Sequence, residues 1–221
     1  MRSKSGPIVR DEPTFIEAAR REQIVQSAIE TIAALGYGRA SLAEIAKHAR
    51  ISKSVISYYF ATKDDLIRQV VTAVYATGME YMVKRMAAQI EPAEALRTYI
   101  VSNVAYIGEY RTQMRALVEI IAGFRSDDGT MPFEAPASPA ATDDVEKLLL
   151  WGQQSGAFRP FSTVVMAITI RAALDALPWR LAVDPNFDLN NYAAELVELL
   201  ERATAPESPK PGKPGIGKKS R

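Results

Sequence analysis

The stretch from Ser41 to Phe60, SLAEIAKHARISKSVISYYF, constrains the fold more than any other part of the chain. Ser41 and Glu44 have the spacing of a capping box, in which each side chain bonds the backbone N–H of the other residue. The run Ala49–Ile51 interrupts the apolar period that follows, and Ser52 then stands where a second helix would need its cap. Two short helices joined by so tight a turn predict a helix-turn-helix motif over about residues 41–60.

The second of these helices carries side chains that suit DNA. Lys53, Ser54, Ser57 and Tyr58 project from it in the predicted register. A lysine supplies charge to phosphates, and hydroxyl groups bond phosphate oxygens or base edges. The alternative interpretation is a helical hairpin in an ordinary small α-domain, which the motif alone leaves open.

An ordered block of residues running through this stretch resembles the TetR-type transcriptional regulators. The resemblance extends over residues 16–75, and its elements are Ala28, Gly36, Ile45-Ala46, Ser52-Lys53, Tyr58-Tyr59-Phe60, Lys63 and Leu66. It implies a DNA-binding head followed by a body that binds a small molecule, with the last two helices forming a homodimer.

The block departs from the family pattern at two positions. Arg50 stands in the turn where the family usually has glycine, and a left-handed backbone there costs a non-glycine residue about 1 kcal/mol. Either the turn differs from the usual one, or the charge of Arg50 is useful near DNA. Ser57 stands where the family often has a phosphate-contacting tyrosine, so that Tyr58 or Tyr59 would take over the anchoring.

These considerations predict a DNA-binding surface with two kinds of contact. Lys53, Tyr58, Tyr59 and Lys63 are expected to position the protein on phosphates, and an ordinary solvated lysine is the alternative for Lys63. The candidates for base reading are Ser54, Ser57 and Arg50. The full predicted set is Arg39, Ser41, Arg50, Ser52, Lys53, Ser54, Ser57, Tyr58, Tyr59 and Lys63.

The charge is distributed unevenly along the chain. Residues 1–63 hold 10 Lys and Arg against 6 Asp and Glu, residues 64–204 hold 12 against 19, and residues 205–221 hold 5 against 1. A basic head on an acidic body suits a protein whose body stays away from phosphates, although an ordinary solvated surface would look the same.

Several classes of function find no support in the composition. The chain has no cysteine, which excludes a thiolate zinc site. Its one histidine, His48, cannot alone build a histidine-based metal site or a familiar catalytic triad. Neither a paired carboxylate and histidine nor a phosphate-binding loop is present, so we expect no enzyme activity, no metal and no cofactor.

Residues 1–15 are predicted to be a flexible arm, 16–75 the DNA-binding domain, 76–204 the helical body, and 205–221 a disordered basic tail. The polar amino terminus lacks the apolar core of a signal peptide. Charged residues interrupt the most apolar stretch, 161–183, which favours a buried helix over a membrane span. We therefore expect a cytoplasmic protein that does not enter the membrane.

The predicted fold is all-α, with a three-helix head on a helical bundle and about nine helices in total. The first helix is expected to run from Pro13 or Thr14 to Leu35, and Thr62 with Asp65 to cap the fourth. Later helices are expected over 91–109, 111–124, 143–155, 161–183 and 189–204, with a long loop over 125–142 and a kink or break at Pro178.

Two sets of residues in the body have an expected role. Methionine and aromatic side chains suit an adaptable pocket, although each could equally be core; with Asn103 as a polar group the predicted pocket is Met82, Met86, Tyr99, Asn103, Tyr106, Met114, Phe124 and Trp151. Apolar faces of the last two helices could pair across a two-fold axis or pack within one chain: Val164, Val165, Ile168, Ala172, Leu189, Tyr192, Ala193, Leu196 and Leu200.

Together these features predict a homodimeric repressor released by an unknown small-molecule effector. Its partner would be double-stranded DNA with a near-palindromic site, read at two half-sites roughly 34–36 Å apart. The alternative is a helical ligand-binding or interaction module that does not bind DNA specifically.

Overall fold

The computed structural model describes residues 14–124 and 139–206. Within those two ranges it contains ten α-helices and no β-strand, which confirms the all-α prediction. The helices, in chain order, are α1 (Phe15–Leu35), α2 (Leu42–His48), α3 (Lys53–Tyr59), α4 (Lys63–Met86), α5 (Pro92–Glu109), α6 (Arg111–Gly123), α7 (Pro139–Gln154), α8 (Thr163–Asp175), α9 (Leu177–Val183) and α10 (Leu189–Thr204).

The helices of the head begin where local chemistry predicts them to begin. Thr14 and Glu17 form a complete capping box at the start of α1, and Thr62 and Asp65 form another at the start of α4. Ser41 and Ser52 cap α2 and α3 by accepting hydrogen bonds from the backbone three residues on. Each cap satisfies an N–H group that a helix start would otherwise leave unpaired.

The head is built around one continuous apolar core. Ile24 and Ile32 of α1, Ile45 of α2, Ile56 of α3 and Leu66 of α4 are all completely buried. Burying a side chain of this size stabilises the fold by roughly 1.5–3 kcal/mol. These contacts seat the helix-turn-helix on α1 and on the first turns of α4.

Polar contacts from α1 add to this seating. The Glu30 carboxylate lies 2.6 Å from Nε2 of His48, and this hydrogen bond lowers the pKa of Glu30. Arg21 donates to the Tyr59 carbonyl at 2.8 Å, and its guanidinium lies 4.7 Å from the centre of the Phe60 ring. Helix α1 therefore holds both α2 and the end of α3 in place.

The body is a bundle in which α5 lies at the centre. Helix α5 packs against α4, α7 and α10, while α6 packs along α1 and against α9. Helix α4 begins in the head and ends in the body. Head and body are thus joined through α4 itself and through the contact between α1 and α6.

Two element boundaries differ from the sequence-based expectation. Helix α7 begins at Pro139, four residues before the predicted start at 143, so the end of the predicted loop is helical. The expected helix over 161–183 is two helices, α8 and α9, which meet at Ala176 just before Pro178. Proline lacks the N–H that would continue the hydrogen bonds of the helix, so the helix breaks there as predicted. The break raises the number of helices in the described ranges to ten, against the nine expected.

Some predictions concern residues outside the described ranges. These are residues 1–13 of the predicted arm, 125–138 of the predicted loop and 207–221 of the predicted tail. The helices of residues 14–124 and 139–206 include none with both the length and the apolarity that crossing a bilayer demands.

Candidate nucleic-acid interface and internal cavity

Helix α3 presents a polar face on the outside of the head. Lys53, Ser54, Ser57 and Tyr58 are exposed, while Ile56 between them is completely buried. The helix is therefore seated by one apolar side chain and leaves the predicted DNA-contacting side chains free of the core. An α-helix with such a face fits the major groove of B-form DNA.

The turn before α3 keeps a left-handed backbone. Arg50 has φ 55°, and it is the single non-glycine residue with positive φ in the described ranges. The Arg50 N–H donates to the Lys47 carbonyl at 3.2 Å, and Ile51 donates to Ala46 at 3.0 Å. Arg50 thus adopts the conformation that glycine would take, at a cost of about 1 kcal/mol, with its side chain exposed.

Two serines at the start of α3 are linked to each other. The Ser52 and Ser54 hydroxyl oxygens lie 2.7 Å apart, and Ser52 also accepts the hydrogen bond that caps the helix. Ser57 is exposed one turn later. Ser57 is therefore the freer of the two base-reading serines, because Ser54 would give up or share a hydrogen bond to read a base.

The two tyrosines at the end of α3 have different surroundings. Tyr58 is 76% exposed, whereas Tyr59 is half-buried and packs against the core of the head. Their rings meet edge to face with centroids 5.0 Å apart. Of the two predicted phosphate contacts, Tyr58 is therefore the accessible one, and its ring rests against Tyr59.

Lys63, in the first turn of α4, is held against the loop that follows α1. Its ammonium donates to the Tyr37 carbonyl at 3.0 Å and lies 4.1 Å from the centre of the Tyr37 ring. Burial lowers the pKa of Lys63, an effect that Asp64 opposes. The Tyr37 ring in turn packs edge-on against Phe124 at the end of α6, with centroids 5.7 Å apart.

The remaining predicted DNA-contacting residues serve the ends of helices. Arg39 is exposed and donates from Nε to the Leu35 carbonyl at 2.8 Å, at the end of α1. Ser41 is exposed and accepts from the Glu44 N–H at 3.2 Å. The ten predicted residues therefore lie in α3, the turn before it, the start of α4, and the loop between α1 and α2 that ends in the Ser41 cap.

A cavity of about 510 Å³ lies within the body, a volume typical of small-molecule pockets. It is bordered by α4, α5, α6, α7, α8 and α9. The predicted pocket residues Met82, Tyr99, Asn103, Tyr106 and Met114 all line it. The other lining residues are Val71, Val74, Tyr75, Gly78, Met79, Ile107, Leu117, Val118, Ile121, Ala141, Asp144, Arg171, Leu174, Asp175, Pro178 and Trp179.

Three predicted pocket residues do not line this cavity. Phe124 is completely buried against Tyr37 at the junction of head and body. Trp151 is exposed on α7, and Met86 packs against the core at the far end of α4. The surroundings of these three side chains depend on tertiary packing, which the residue type alone does not reveal.

One wall of the cavity carries a cluster of polar side chains. Arg171 donates from one terminal nitrogen to the Tyr99 hydroxyl at 2.8 Å and to Asn103 at 3.3 Å, and from the other to Asp175. Burial raises the pKa of Asp175 to about 6, against the opposing effect of Arg171. Sequence reasoning did not assign Arg171 and Asp175 to a site. The signal that indicates them is a pair of opposite charges one turn apart in an apolar helix, which is the spacing of a buried ion pair.

Tyr106 of α5 links the cavity wall to the backbone of α4 by a hydrogen bond. The Tyr106 hydroxyl donates to the Val74 carbonyl at 2.7 Å, and its ring passes close to Gly78, where an added Cβ would lie 3.1 Å from it. Burial raises the pKa of Tyr106 above its ordinary value. The wall of the cavity therefore bonds directly to the backbone of the helix that leads to the head.

The two predicted dimer faces have different surroundings within the chain. On α8, Val164, Val165, Ile168 and Ala172 are all exposed, with Val165 at 62% and Ile168 at 54%. On α10, Ala193 and Leu200 are buried and Leu189, Tyr192 and Leu196 are partly buried. The buried α10 residues belong to the face that packs on α5 of the same chain, so for Ala193 and Leu200 the alternative of packing within one chain holds.

Comparison with known proteins shows what the head is similar to. Residues 24–70 match the profile of "Bacterial regulatory proteins, tetR family". A curated relative, the HTH-type transcriptional regulator BetI 1 of Chromohalobacter salexigens, is 34% identical over 89 residues, which are 40% of this chain and 44% of that protein. The chain thus covers less than half of the length of the relative. These matches confirm the resemblance predicted from the ordered block.

Solved structures resemble the chain over most of its length. The fatty acid degradation regulator FadR from Bacillus halodurans has a TM-score of 0.72 at 19% identity and covers 90% of this chain and 97% of its own. The transcriptional regulator FadR from Bacillus subtilis in complex with stearoyl-CoA has a TM-score of 0.68 at 19% identity, covering 81% and 96%. At this identity the similarity establishes the fold, a helix-turn-helix head on a helical body.

Proposed function

We propose that this chain, whose amino-terminal head belongs to the tetR family of bacterial regulators, is a sequence-specific DNA-binding transcriptional regulator. The observation that carries the proposal is the exposed polar face of α3, seated on the head by the buried Ile56. A relative similar in the head is named as a transcriptional regulator, and regulation rather than catalysis is accordingly the activity we propose.

In the proposed complex, α3 enters the major groove. Lys53 and Tyr58 position the head on phosphates, and Ser57 and Arg50 are the side chains best placed to read bases. Lys63 reaches a phosphate from the start of α4, where the positive end of the helix dipole also favours an anion. A protein that regulates genes in this way would act in the cytoplasm, where bacterial relatives of the head meet chromosomal DNA.

We propose a homodimer, since reading a near-palindrome requires two heads. The exposed apolar face of α8, with Leu199 of α10 at 60% exposure, supports this arrangement. Replacing Val165 and Ile168 by Glu should convert the dimer to a monomer in analytical ultracentrifugation. Val183→Glu, at a still more exposed apolar position at the end of α9, is the control and should leave the dimer intact.

The cavity is proposed to bind the effector that controls the heads. One structural relative was solved with stearoyl-CoA, which establishes ligand binding for that protein. Here the cavity wall includes α4 and α6, the two helices that also contact the head. A ligand that binds one arrangement of these helices more tightly than another shifts the protein toward that arrangement. The extent of DNA release is limited by this difference in affinity. Release of this kind would make the protein a repressor.

The decisive experiment is selection of bound sequences from a random double-stranded DNA library, followed by footprinting. The expected outcome is an enriched near-palindrome bound at about 0.15 M salt, with an affinity that falls steeply as salt is added. The Lys53→Ala, Tyr58→Ala double variant should lose this binding. Lys84→Ala removes an exposed lysine at the far end of α4 and should retain it.

Two outcomes would contradict the proposal. One is a library from which no sequence is enriched, which would favour a ligand-binding module without specific DNA binding. The other is an operator that the double variant binds as tightly as the unchanged protein, which would reject α3 as the recognition helix. Circular dichroism of the variants would exclude unfolding as the reason for lost binding.

A further inference from the structure

The cavity differs strongly from one end to the other. Most of its wall consists of aliphatic, methionine and aromatic side chains contributed by α4, α5 and α6. The polar exceptions gather where α5 meets α8, around Arg171. A ligand that fills the cavity must therefore be largely apolar and carry its polar atoms at one end.

Three polar groups at that end have unused hydrogen-bonding capacity. Nε of Arg171 and one carboxylate oxygen of Asp175, Oδ2, are buried without a partner. The Tyr99 hydroxyl accepts from Arg171 and donates no hydrogen bond to any of the described residues. Leaving a buried polar group unpaired costs about 1–3 kcal/mol. The site therefore presents two donors and one acceptor to a ligand that can bond them.

The charged side chains at that end of the cavity disfavour an anionic ligand. The guanidinium of Arg171 is already paired with the carboxylate of Asp175 one turn along α8. A second carboxylate, that of Asp144, also borders the cavity and pairs with Lys147 at 2.9 Å. An anionic ligand that accepts from Arg171 would either displace Asp175 or place a second negative charge beside that buried carboxylate, and both are unfavourable.

A cationic ligand is disfavoured for a complementary reason. Asp175 is already neutralised by Arg171, and an added positive charge would lie close to the buried guanidinium. Like charges at short range in a poorly solvated site repel each other. The combination of a neutralised ion pair with unpaired donors and an unpaired acceptor matches a polar group that carries no net charge.

We infer that the effector is an uncharged amphiphile, with an apolar body and a terminal group that both accepts and donates hydrogen bonds, such as a primary carboxamide. Its carbonyl oxygen accepts from Arg171 and from the Tyr99 hydroxyl, and its N–H donates to Asp175. The apolar body lies along Met82, Met114 and the aliphatic side chains of α4 and α6. The inference rests on the proposed function, because it assigns a ligand class to the proposed effector site.

The test uses matched straight-chain probes that differ only in their terminal group. Primary amides of six to twelve carbons are compared with carboxylates and alkyltrimethylammonium ions of the same chain lengths, by titration of the full chain at neutral pH. Trp179 lines the cavity and reports binding by fluorescence in a Trp151→Phe background, because these are the two tryptophans of the chain. The best amide should bind roughly tenfold or more tightly than its matched carboxylate.

Two substitutions assign the preference to the polar end. Asp175→Asn keeps the size of the side chain and leaves the Arg171 charge unpaired, so carboxylate binding should improve roughly tenfold. Glu198→Gln changes the net charge by the same amount on the exposed side of α10 and should leave the preference unchanged. Tyr99→Phe removes one donor to the ligand carbonyl and should weaken an amide and an ester of equal length alike, several-fold. The ester has no N–H for Asp175 to accept, so it should bind the unchanged protein less tightly than the amide.

The outcomes separate this inference from the proposed function. Carboxylates or ammonium ions that bind as tightly as amides would overturn the inference, and so would an absence of binding by every probe. An amide that binds as expected and leaves the operator complex intact would uphold the ligand class and refute the proposed coupling to DNA. A failed operator selection with intact amide binding would refute DNA recognition alone.

Discussion

Lys63 and Tyr37 are held together although 26 positions separate them in the sequence. The Lys63 ammonium donates to the Tyr37 carbonyl at 3.0 Å and lies 4.1 Å from the ring centre. The same ring packs against Phe124 at the end of α6. Tyr37 therefore joins a proposed phosphate contact to the helix whose other turns line the cavity. A shift of α6 would move or release the ammonium group.

Gly123 gives a direct way to disturb this relationship. A Cβ added there would lie 2.8 Å from Cδ1 and 3.1 Å from Cβ of Tyr37, so the ring must move. Gly123→Ala should weaken operator binding several-fold without touching the DNA, as measured by fluorescence anisotropy. Gly38→Ala is the control, since its added Cβ meets nothing within 4 Å. Equal affinities for the two variants would show that Tyr37 does not position Lys63 for DNA.

Arg50 allows the backbone and the charge to be tested separately. Because its φ is 55°, Arg50→Gly should be more stable than Arg50→Ala by about 1 kcal/mol in urea unfolding. Both variants lack the guanidinium and should therefore weaken DNA binding equally. If Arg50→Gly binds the operator as well as the unchanged protein, the arginine does not contact DNA.

The capping box of α4 should contribute measurably to the free energy of unfolding. The Thr62 hydroxyl accepts from the Asp65 N–H at 3.0 Å, and Asp65 accepts from the Thr62 N–H at 3.1 Å. Thr62→Ala should cost about 1 kcal/mol in the free energy of unfolding. Thr72→Ala, at an exposed mid-helix position of α4, should cost less, because its hydroxyl bonds only the Arg68 carbonyl of its own helix. Equal losses would argue against the cap.

Asp175 should make stability depend on pH in a defined direction. Its pKa rises from 3.8 to about 6 on folding, so between these values the folded state binds more protons than the unfolded state. The free energy of unfolding should therefore fall as pH rises from about 4 to 6, by about 2–3 kcal/mol relative to Asp175→Asn. Above pH 6 the difference should be constant. A difference that does not change with pH between 4 and 6 would contradict the assigned burial.

Local signals in the sequence predicted most of the helices correctly. Thr14, Ser52 and Thr62 mark helix starts because a capping side chain needs only the next three residues of backbone. Pro178 marks the break between α8 and α9 for an equally local reason. The start of α7 was placed four residues late, because Pro139 is also acceptable in the first turn of a helix.

For the predicted DNA-contacting residues, the sequence indicated a common region of the chain but not the exposure of each side chain. The sequence placed all ten near one motif, and the structure brings them into α3 and its immediate neighbours. It could not decide that Tyr58 is exposed and Tyr59 half-buried, since that depends on how α3 sits against Arg21 and the core. Their contacts with DNA remain predictions.

The sequence by itself determined the helical fold, the helix-turn-helix and the resemblance of the head to a family of regulators, because these follow from caps, apolar period and a specific ordered block. Only the tertiary structure decided which side chains meet. It brought Arg171 of α8 to Tyr99 of α5, packed Phe124 against Tyr37, and placed the Lys63 ammonium against Tyr37. Such contacts join distant parts of the chain, and their existence depends on the packing angles and rotations of helices, which no short stretch of sequence encodes.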